Sequence, residues 1–151
     1  MITEQQMRKR LTGVYHTMKK RFGRKYWNSG SRRGMIRVTE RNLPFQKEEF
    51  IAWAMKHVGL TAVPCPYCGA PIDGLSFECD HGIPASAGGS VGLDNLIPCC
   101  SRCNRMKAAL TSDDFRKLRA FIPQLSPSGQ VDLERRLCSG AMGIRLRHFA
   151  K

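Results

Sequence analysis

The sequence predicts an α+β fold in which a small hairpin and a short helix are held by a metal site and flanked by additional helices. Apolar residues recur at helical spacing near both ends of the chain, and two short strand-like runs lie in the middle. Two Cys-x2-Cys pairs lie on either side of these runs. For 151 residues we expect a core at 43–122, a basic segment at 1–42 and a helical tail at 123–151.

The N-terminal segment is predicted to be a basic helix followed by a basic loop. The helical pattern covers residues 3–22 and Gly23 can end it, whereas residues 23–42 show little periodicity apart from a strand-like Met35–Val38. Residues 1–41 carry +10 of the net charge of +13, which predicts a polyanionic partner because neutralised phosphates release counterions. A basic face that only aids solubility is the alternative. The candidate phosphate contacts are Lys19, Lys20, Arg24 and Lys25.

A second helix is marked at both of its ends. Phe45 and Phe50 are placed as a hydrophobic staple around a start near Gln46, and Gly59 can end the helix. His57 falls on the apolar face and is predicted to be a satisfied core histidine.

The rest of the chain is predicted to contain a knuckle, a hairpin and three helices. Residues 64–69 are typical of a tight turn, and residues 75–84 and 96–99 are predicted strands joined by a long glycine-containing connection. A helix begins at about Ser101, and Thr111 or Ser112 can cap another that ends before Pro123. Residues 123–129 resemble a linker, and residues 129–138 are predicted to form a last short helix.

The paired cysteines predict a structural zinc site. Zinc in such sites takes four soft ligands in a tetrahedron, and each Cys-x2-Cys turn presents two of them. Cys99 is an alternative to Cys100, because Cys99-x3-Cys103 is also a ligand spacing, whereas Cys79 and Cys138 are predicted to be packing residues. The predicted ligands are Cys65, Cys68, Cys100 and Cys103.

The cysteines also bear on location. Metal-binding thiols indicate a reducing compartment, and no signal peptide is visible at the N-terminus. No apolar run is long enough to span a membrane. We therefore expect a cytoplasmic protein without a membrane partner.

A second kind of site is indicated by Asp80 and His81. Histidine is the natural general base near neutral pH, and a hard cation such as Mg²⁺ takes carboxylate and amide oxygens. Neighbouring strand residues point to opposite faces, so a bulge near Gly82 is predicted if both side chains are to act on one phosphate.

Residues 65–108 resemble the HNH endonuclease family. The resemblance is carried by Cys-x2-Cys, by Asp-His with Ile-Pro and Gly-Gly after it, by Leu-Asp-Asn-Leu, and by Cys-x2-Cys-Asn-x2-Lys. It implies a ββα-metal core and a metal-dependent endonuclease that hydrolyses the phosphodiesters of double-stranded DNA, leaving 5′-phosphate and 3′-hydroxyl ends. The resemblance does not extend to the N-terminal third or to the C-terminal tail.

The resemblance also implies roles for particular residues. His81 is implied to be the general base, Asp80 a metal ligand, and Asn95 the residue that braces the hairpin and orients the histidine. Asn104 stands where the name-giving members have a second histidine, which makes the chain an HNN variant. Its amide oxygen is implied to bind the catalytic ion, which favours Mg²⁺ or Mn²⁺ over a second zinc.

Three basic residues near Asn104 are candidate phosphate contacts, with a solvated basic face as the alternative. They are Arg102, Arg105 and Lys107.

Two other functions remain open at this stage. The first is a non-catalytic zinc module that binds nucleic acid, although binding alone requires neither Asp80, His81 nor Asn104. The second is an accessory HNH subunit that acts only on a larger DNA-processing complex, for example a packaging terminase, and docks there through its terminal arms. The family further suggests a phage or mobile-element context.

Overall fold

Helices make up most of the described chain, and two short antiparallel hairpins lie between them. The computed structural model describes residues 2–33 and 43–139, with side chains described for residues 2–20 of the first range. The helices are α1 (Glu4–Arg33), α2 (Lys47–His57), α3 (Ser101–Lys107), α4 (Ser112–Phe121) and α5 (Pro127–Cys138). The strands are β1 (Val63–Pro64), β2 (Pro71–Ile72), β3 (Glu78–His81) and β4 (Leu96–Cys99). Strand β3 pairs with β4, which confirms the predicted hairpin, and β1 pairs with β2 in a second hairpin that was not predicted. Together with the helices, these strands confirm the α+β class.

Helix α1 is longer than predicted, because it continues through Gly23 as far as Arg33. A glycine inside a helix costs only about 1 kcal/mol relative to alanine, and the surrounding Arg and Lys residues favour helix. The predicted loop is therefore wrong over residues 23–33. The strand-like Met35–Val38 lies outside the described residues.

Helix α1 packs on α2 through an aromatic core. Leu11 and Tyr15 are buried on α1, and the stacked rings of Phe45 and Phe50 have centroids 6.1 Å apart. The Tyr15 hydroxyl donates to the Phe45 carbonyl over 3.3 Å. The predicted staple around the start of α2 is confirmed by this packing.

His57 does not belong to that core. It is exposed in the last turn of α2, with its ring centroid 5.2 Å from that of Trp53. The prediction of a buried core histidine is therefore wrong. The last buried residues of this apolar face are Ala54 and Val58 instead.

Arg10 ties α1 to the segment that leads into β3. Its guanidinium donates to the carbonyls of Gly74, over 3.0 Å, and Phe77, and it lies 4.8 Å from the Phe77 ring centroid. Burial lowers the pKa of this guanidinium. The first half of α1 is thus part of the core, and Arg10 is a structural cation.

Four cysteines converge where the knuckle meets the start of α3. The Sγ atoms of Cys65, Cys68, Cys100 and Cys103 all lie within 4.8 Å of one another, and those of Cys68 and Cys100 are 3.7 Å apart. Ligands about 2.3 Å from a tetrahedral zinc lie about 3.8 Å from one another, so this cluster fits the ion.

The geometry also separates the ligands from the other cysteines of this region. Cys100 joins the cluster, whereas Cys99 is fully buried beside it, and burial raises the pKa of its thiol. Burial likewise raises the pKa of Cys79 to about 12, as suits a packing thiol. The cluster therefore contains Cys100 and not Cys99.

A buried ion pair holds the other end of α3. The Nζ atom of Lys107 lies 3.0 Å from Oδ1 of Asp80 and donates to the His81 carbonyl over 2.8 Å. The two side chains of the pair are 0% and 5% exposed. The prediction that Lys107 contacts a phosphate is wrong in this arrangement, because its ammonium points at β3.

The C-terminal helix α5 packs against α3. Glu134 of α5 binds both Arg102 and Arg119, and Leu137 is buried. Ser126 caps the helix by accepting a hydrogen bond from the Gly129 amide, so α5 begins two residues earlier than predicted. Residues 122–124 form a 3-10 turn, and the linker predicted at 123–129 is therefore wrong.

We predict that the cluster holds a structural zinc. Protein purified without added metal should contain about one zinc per chain, and Cys68→Ser should lose the metal and much of its stability because metal binding and folding are coupled. Cys138→Ser, a cysteine outside the cluster, is the matched control and should keep the zinc. Elemental analysis with thermal unfolding is the measurement, and a folded, soluble, zinc-free wild type would contradict the prediction.

The buried ion pair gives a second prediction. Lys107→Ala leaves the buried Asp80 carboxylate without its cation, and we expect a loss of about 3–5 kcal/mol in the free energy of unfolding. Arg105→Ala, an exposed position on the same helix, should change it by less than about 0.5 kcal/mol. Denaturant titration of the zinc-loaded proteins is the measurement, and equal effects of the two substitutions would disprove the role of the pair.

Candidate active site

Strand β3 presents alternate residues to the two faces of the hairpin. The pairing with β4 runs without interruption from Glu78 opposite Cys99 to His81 opposite Leu96. Asp80 is buried, and His81 is half-buried. The bulge predicted to bring Asp80 and His81 to one face is therefore absent from the paired residues, and the alternation assigns them to opposite faces.

The Asp80 carboxylate is held at both oxygens. Oδ1 accepts from Lys107 Nζ, and Oδ2 accepts from the Tyr67 hydroxyl over 2.7 Å. The Tyr67 oxygen lies 2.7 Å from Oγ of Ser112. Burial raises the pKa of Tyr67, so its hydroxyl remains a donor. A carboxylate has about four lone-pair sites, so two bonds leave room for a cation.

Asn104 faces a carboxylate that the sequence did not single out. Its Nδ2 donates to Oε2 of Glu78 over 2.7 Å. Because the oxygen and the nitrogen of a side-chain amide point in different directions, this hydrogen bond from the nitrogen turns the amide oxygen of Asn104 away from Glu78. The sequence pattern that could have identified Glu78 is its position two residues before Asp80, because residues two apart lie on the same face of a strand.

Asn95 braces the loop that follows His81. Its Oδ1 accepts from the Ile83 amide over 2.8 Å, and its Nδ2 donates to the carbonyls of Ile83, over 2.8 Å, and Ser90, over 2.7 Å. A Cβ on Gly89 would lie 1.8 Å from the Ile83 carbonyl oxygen, so only glycine fits there. These contacts fix the backbone just beyond His81.

Carboxylate and amide side chains lie on β3 and on the adjoining α3. Asp80 and Glu78 supply carboxylates from one face of β3, and Asn104 supplies an amide oxygen from the adjoining helix. Mg²⁺ and Mn²⁺ prefer such oxygens. Asp80 and Asn104 thus carry oxygen donors of the kind that the predicted second metal requires, and Glu78 is hydrogen-bonded to Asn104.

The predicted phosphate contacts have different surroundings. Arg105 is exposed and donates to Oγ of Ser101, whereas Arg102 is exposed but paired with Glu134. Lys20 is exposed and Lys19 half-buried on α1. The side chains of Arg24 and Lys25 lie outside the described part of the chain.

Among residues 2–33 and 43–139, no helix is both long enough and apolar enough to cross a membrane.

Known proteins resemble this chain around the site. The family model for HNH endonuclease matches residues 65–109, the stretch from the first zinc ligand to just beyond Lys107. The CRISPR-associated endonuclease Cas9 of Corynebacterium diphtheriae is 38% identical over 56 residues, which cover 36% of this chain and 5% of that protein. This chain therefore spans only a small part of the length of that relative. The stretch that matches the HNH endonuclease model thus comprises the knuckle, the β3–β4 hairpin and α3, and its four clustered cysteines join the knuckle to the start of α3.

Proposed function

We propose that this protein is a metal-dependent endonuclease that hydrolyses phosphodiester bonds of double-stranded DNA. The observation that carries the proposal is the set Asp80, His81 and Asn104 on β3 and α3, inside a stretch that matches the HNH endonuclease model. Binding alone would need neither a histidine base nor oxygen ligands for a second metal, which disfavours a non-catalytic zinc module.

His81 is the proposed general base. It is half-buried as the last residue of β3. Because Asp80 and His81 lie on opposite faces of the strand, the proposal requires the phosphate to lie across the end of β3, where a neutral imidazole can accept the proton of the attacking water. The loop that follows is held by Asn95, and we assign Asn95 the role of keeping His81 in place.

Asp80 and Asn104 are the proposed ligands of a catalytic Mg²⁺ or Mn²⁺. When bound, such an ion polarises the phosphate and stabilises the negative charge on the leaving oxygen. The residues of the chain hold these oxygens in place, through Tyr67 and Lys107 at Asp80 and through Glu78 at Asn104. Departure of the 3′ oxygen would leave 3′-hydroxyl and 5′-phosphate ends.

The distribution of charge supports DNA binding by the N-terminal segment. Residues 43–139 contain ten Lys or Arg and ten Asp or Glu, so the positive charge of the chain lies in the two terminal segments. Many basic residues of the core are already paired with carboxylates, as Arg116 is with Asp113 and Arg136 with Asp132. We therefore assign non-specific phosphate contacts mainly to α1, with Arg105 near the site.

An accessory role on a larger DNA-processing complex is a second candidate. Phe121 is 48% exposed and Val131 69% exposed on the C-terminal helices. These apolar side chains would suit a protein partner, and the domain would then cut only when docked.

A cleavage assay tests the proposed chemistry. Supercoiled plasmid should be nicked in the presence of Mg²⁺ or Mn²⁺, and EDTA should stop the reaction before it removes the thiolate-bound zinc. His81→Ala should lower the rate by at least ~10²-fold, the usual contribution of a general base, while fold, zinc and DNA binding persist. His57→Ala, an exposed histidine on α2, is the matched control and should cleave at the wild-type rate. Cleavage by His81→Ala at that rate, or full activity without a divalent ion, would refute the assignment.

A charge reversal tests the N-terminal segment. Changing Lys19, Lys20, Arg24 and Lys25 to Glu should weaken duplex binding, because each lost phosphate contact flattens the slope of log K against log salt by about 0.9. Cleavage at saturating DNA should fall less than affinity, since the site is unchanged. Fluorescence anisotropy across a salt series gives both quantities.

The control for this experiment carries the same change in charge elsewhere. Four exposed residues of the core, changed to Glu, should alter the slope less; they are Lys56, Lys117, Arg135 and Arg136. Equal slopes for the two variants would show that the N-terminal segment makes no particular contact with DNA.

A further inference from the structure

We propose that Tyr67 is a positioning residue that couples the zinc knuckle to the Asp80 carboxylate, so that the structural metal site sets the geometry of the catalytic one. The inference rests on the proposed function, because it takes Asp80 as a ligand of the catalytic ion. It concerns a residue between two zinc ligands, Cys65 and Cys68, whose side chain reaches the other site.

The knuckle carries Tyr67 to a fixed place. The Gly69 amide donates to the Cys65 carbonyl over 2.9 Å, and Gly69 adopts φ +74°, a conformation that closes the turn. The Cys65 amide donates to the Ala70 carbonyl over 2.8 Å. With both cysteines in the cluster, the backbone of Tyr67 has little freedom to move relative to α3.

The ring of Tyr67 is held from two sides by α4. The rings of Tyr67 and Phe115 form a T-shaped pair with centroids 5.0 Å apart, and the guanidinium of Arg116 lies 5.5 Å from the Tyr67 centroid. Tyr67 is only 9% exposed and Phe115 is fully buried. The position of the hydroxyl is therefore determined by the knuckle and by α4 together.

The hydrogen bond between Tyr67 and Asp80 can run in only one direction. An ionised carboxylate only accepts hydrogen bonds, so Tyr67 donates its proton to Asp80, and Ser112 must then donate to the Tyr67 oxygen. The Ser112 amide in turn donates to the Gly82 carbonyl over 2.8 Å, just after His81. One chain of contacts thus joins the zinc knuckle, Asp80 and the loop after His81.

Two donors on opposite oxygens define the rotation of the Asp80 side chain. Lys107 holds Oδ1 and Tyr67 holds Oδ2, over 3.0 and 2.7 Å. If Tyr67 lost its hydroxyl, the carboxylate could turn about the remaining ammonium, and its free lone pairs would no longer be held in one direction. Residues that orient metal ligands in this way typically change metal affinity or activity by about 10–100-fold when mutated.

A purely structural knuckle would need no hydroxyl at this position. The ring alone fills the space beside Phe115, and phenylalanine would fill it equally well. Tyr67→Phe therefore removes the proposed coupling while it preserves the packing and leaves the cysteines unchanged. The buried Tyr15 offers a matched control, since its hydroxyl binds the Phe45 carbonyl in the α1–α2 core.

The test measures Mn²⁺ binding to the zinc-loaded full chain by electron paramagnetic resonance, with zinc content and thermal unfolding recorded for each variant. Tyr67→Phe should keep one zinc per chain and bind Mn²⁺ about 10–100-fold more weakly than wild type, as expected for loss of a residue that orients a ligand. Tyr15→Phe should bind Mn²⁺ as wild type does. Asp80→Asn should abolish most of the binding and identify the site.

The outcomes separate this inference from the proposed function. If wild type binds Mn²⁺ through Asp80 and Tyr67→Phe binds it equally well, the coupling is refuted and the nuclease assignment stands. If wild type binds no Mn²⁺ at Asp80, both are refuted. A loss of zinc by Tyr67→Phe would also overturn the inference, because the residue would then act on the structural site.

Discussion

The two ends of α3 are attached to different parts of the molecule, and the remaining geometry depends on both attachments. At its start, Cys100 and Cys103 meet the knuckle cysteines in a cluster that fits a zinc ion. At its end, Lys107 is buried against Asp80 of β3. A helix of seven residues is too short to be stable alone, so these attachments and its packing on α5 hold it in place.

The buried ion pair has consequences for both stability and chemistry. Taking an ammonium and a carboxylate out of water is costly, and the cost is offset here by further hydrogen bonds from Tyr67 to Asp80 and from Lys107 to the His81 carbonyl. The same bonds keep the Asp80 carboxylate in one orientation near the end of α3. A residue that appears from its sequence to be a surface cation is thus part of the framework of the site.

Charge is distributed unevenly between the N-terminal segment and the core. The core carries equal numbers of acidic and basic residues, and most of the excess charge precedes Leu43. The first half of α1 is docked on the core through Leu11, Tyr15 and Arg10. A basic helix anchored in this way can bring phosphates near the domain without altering the residues proposed to act on them.

The sequence by itself determined the parts of this protein that depend on local spacing. The Cys-x2-Cys pairs predicted the four clustered cysteines, the Phe45 and Phe50 staple predicted the start of α2, and the strand ending at Cys99 and the helix beginning at Ser101 were correctly placed. Such features follow from a few neighbouring residues, so a single sequence is enough to find them.

Only the tertiary structure decided the contacts made across the fold. The burial of Lys107 depends on Asp80, which is 27 residues away in the sequence. Asn104 donates a hydrogen bond to Glu78, and the Tyr67 hydroxyl contacts Ser112, 45 residues away. His57 is exposed, and α1 runs past Gly23, because packing and helix propensity outweighed the local signals. Side chains that are far apart in the sequence come into contact only after the chain has folded, so their spacing along the chain does not predict which of them will pair.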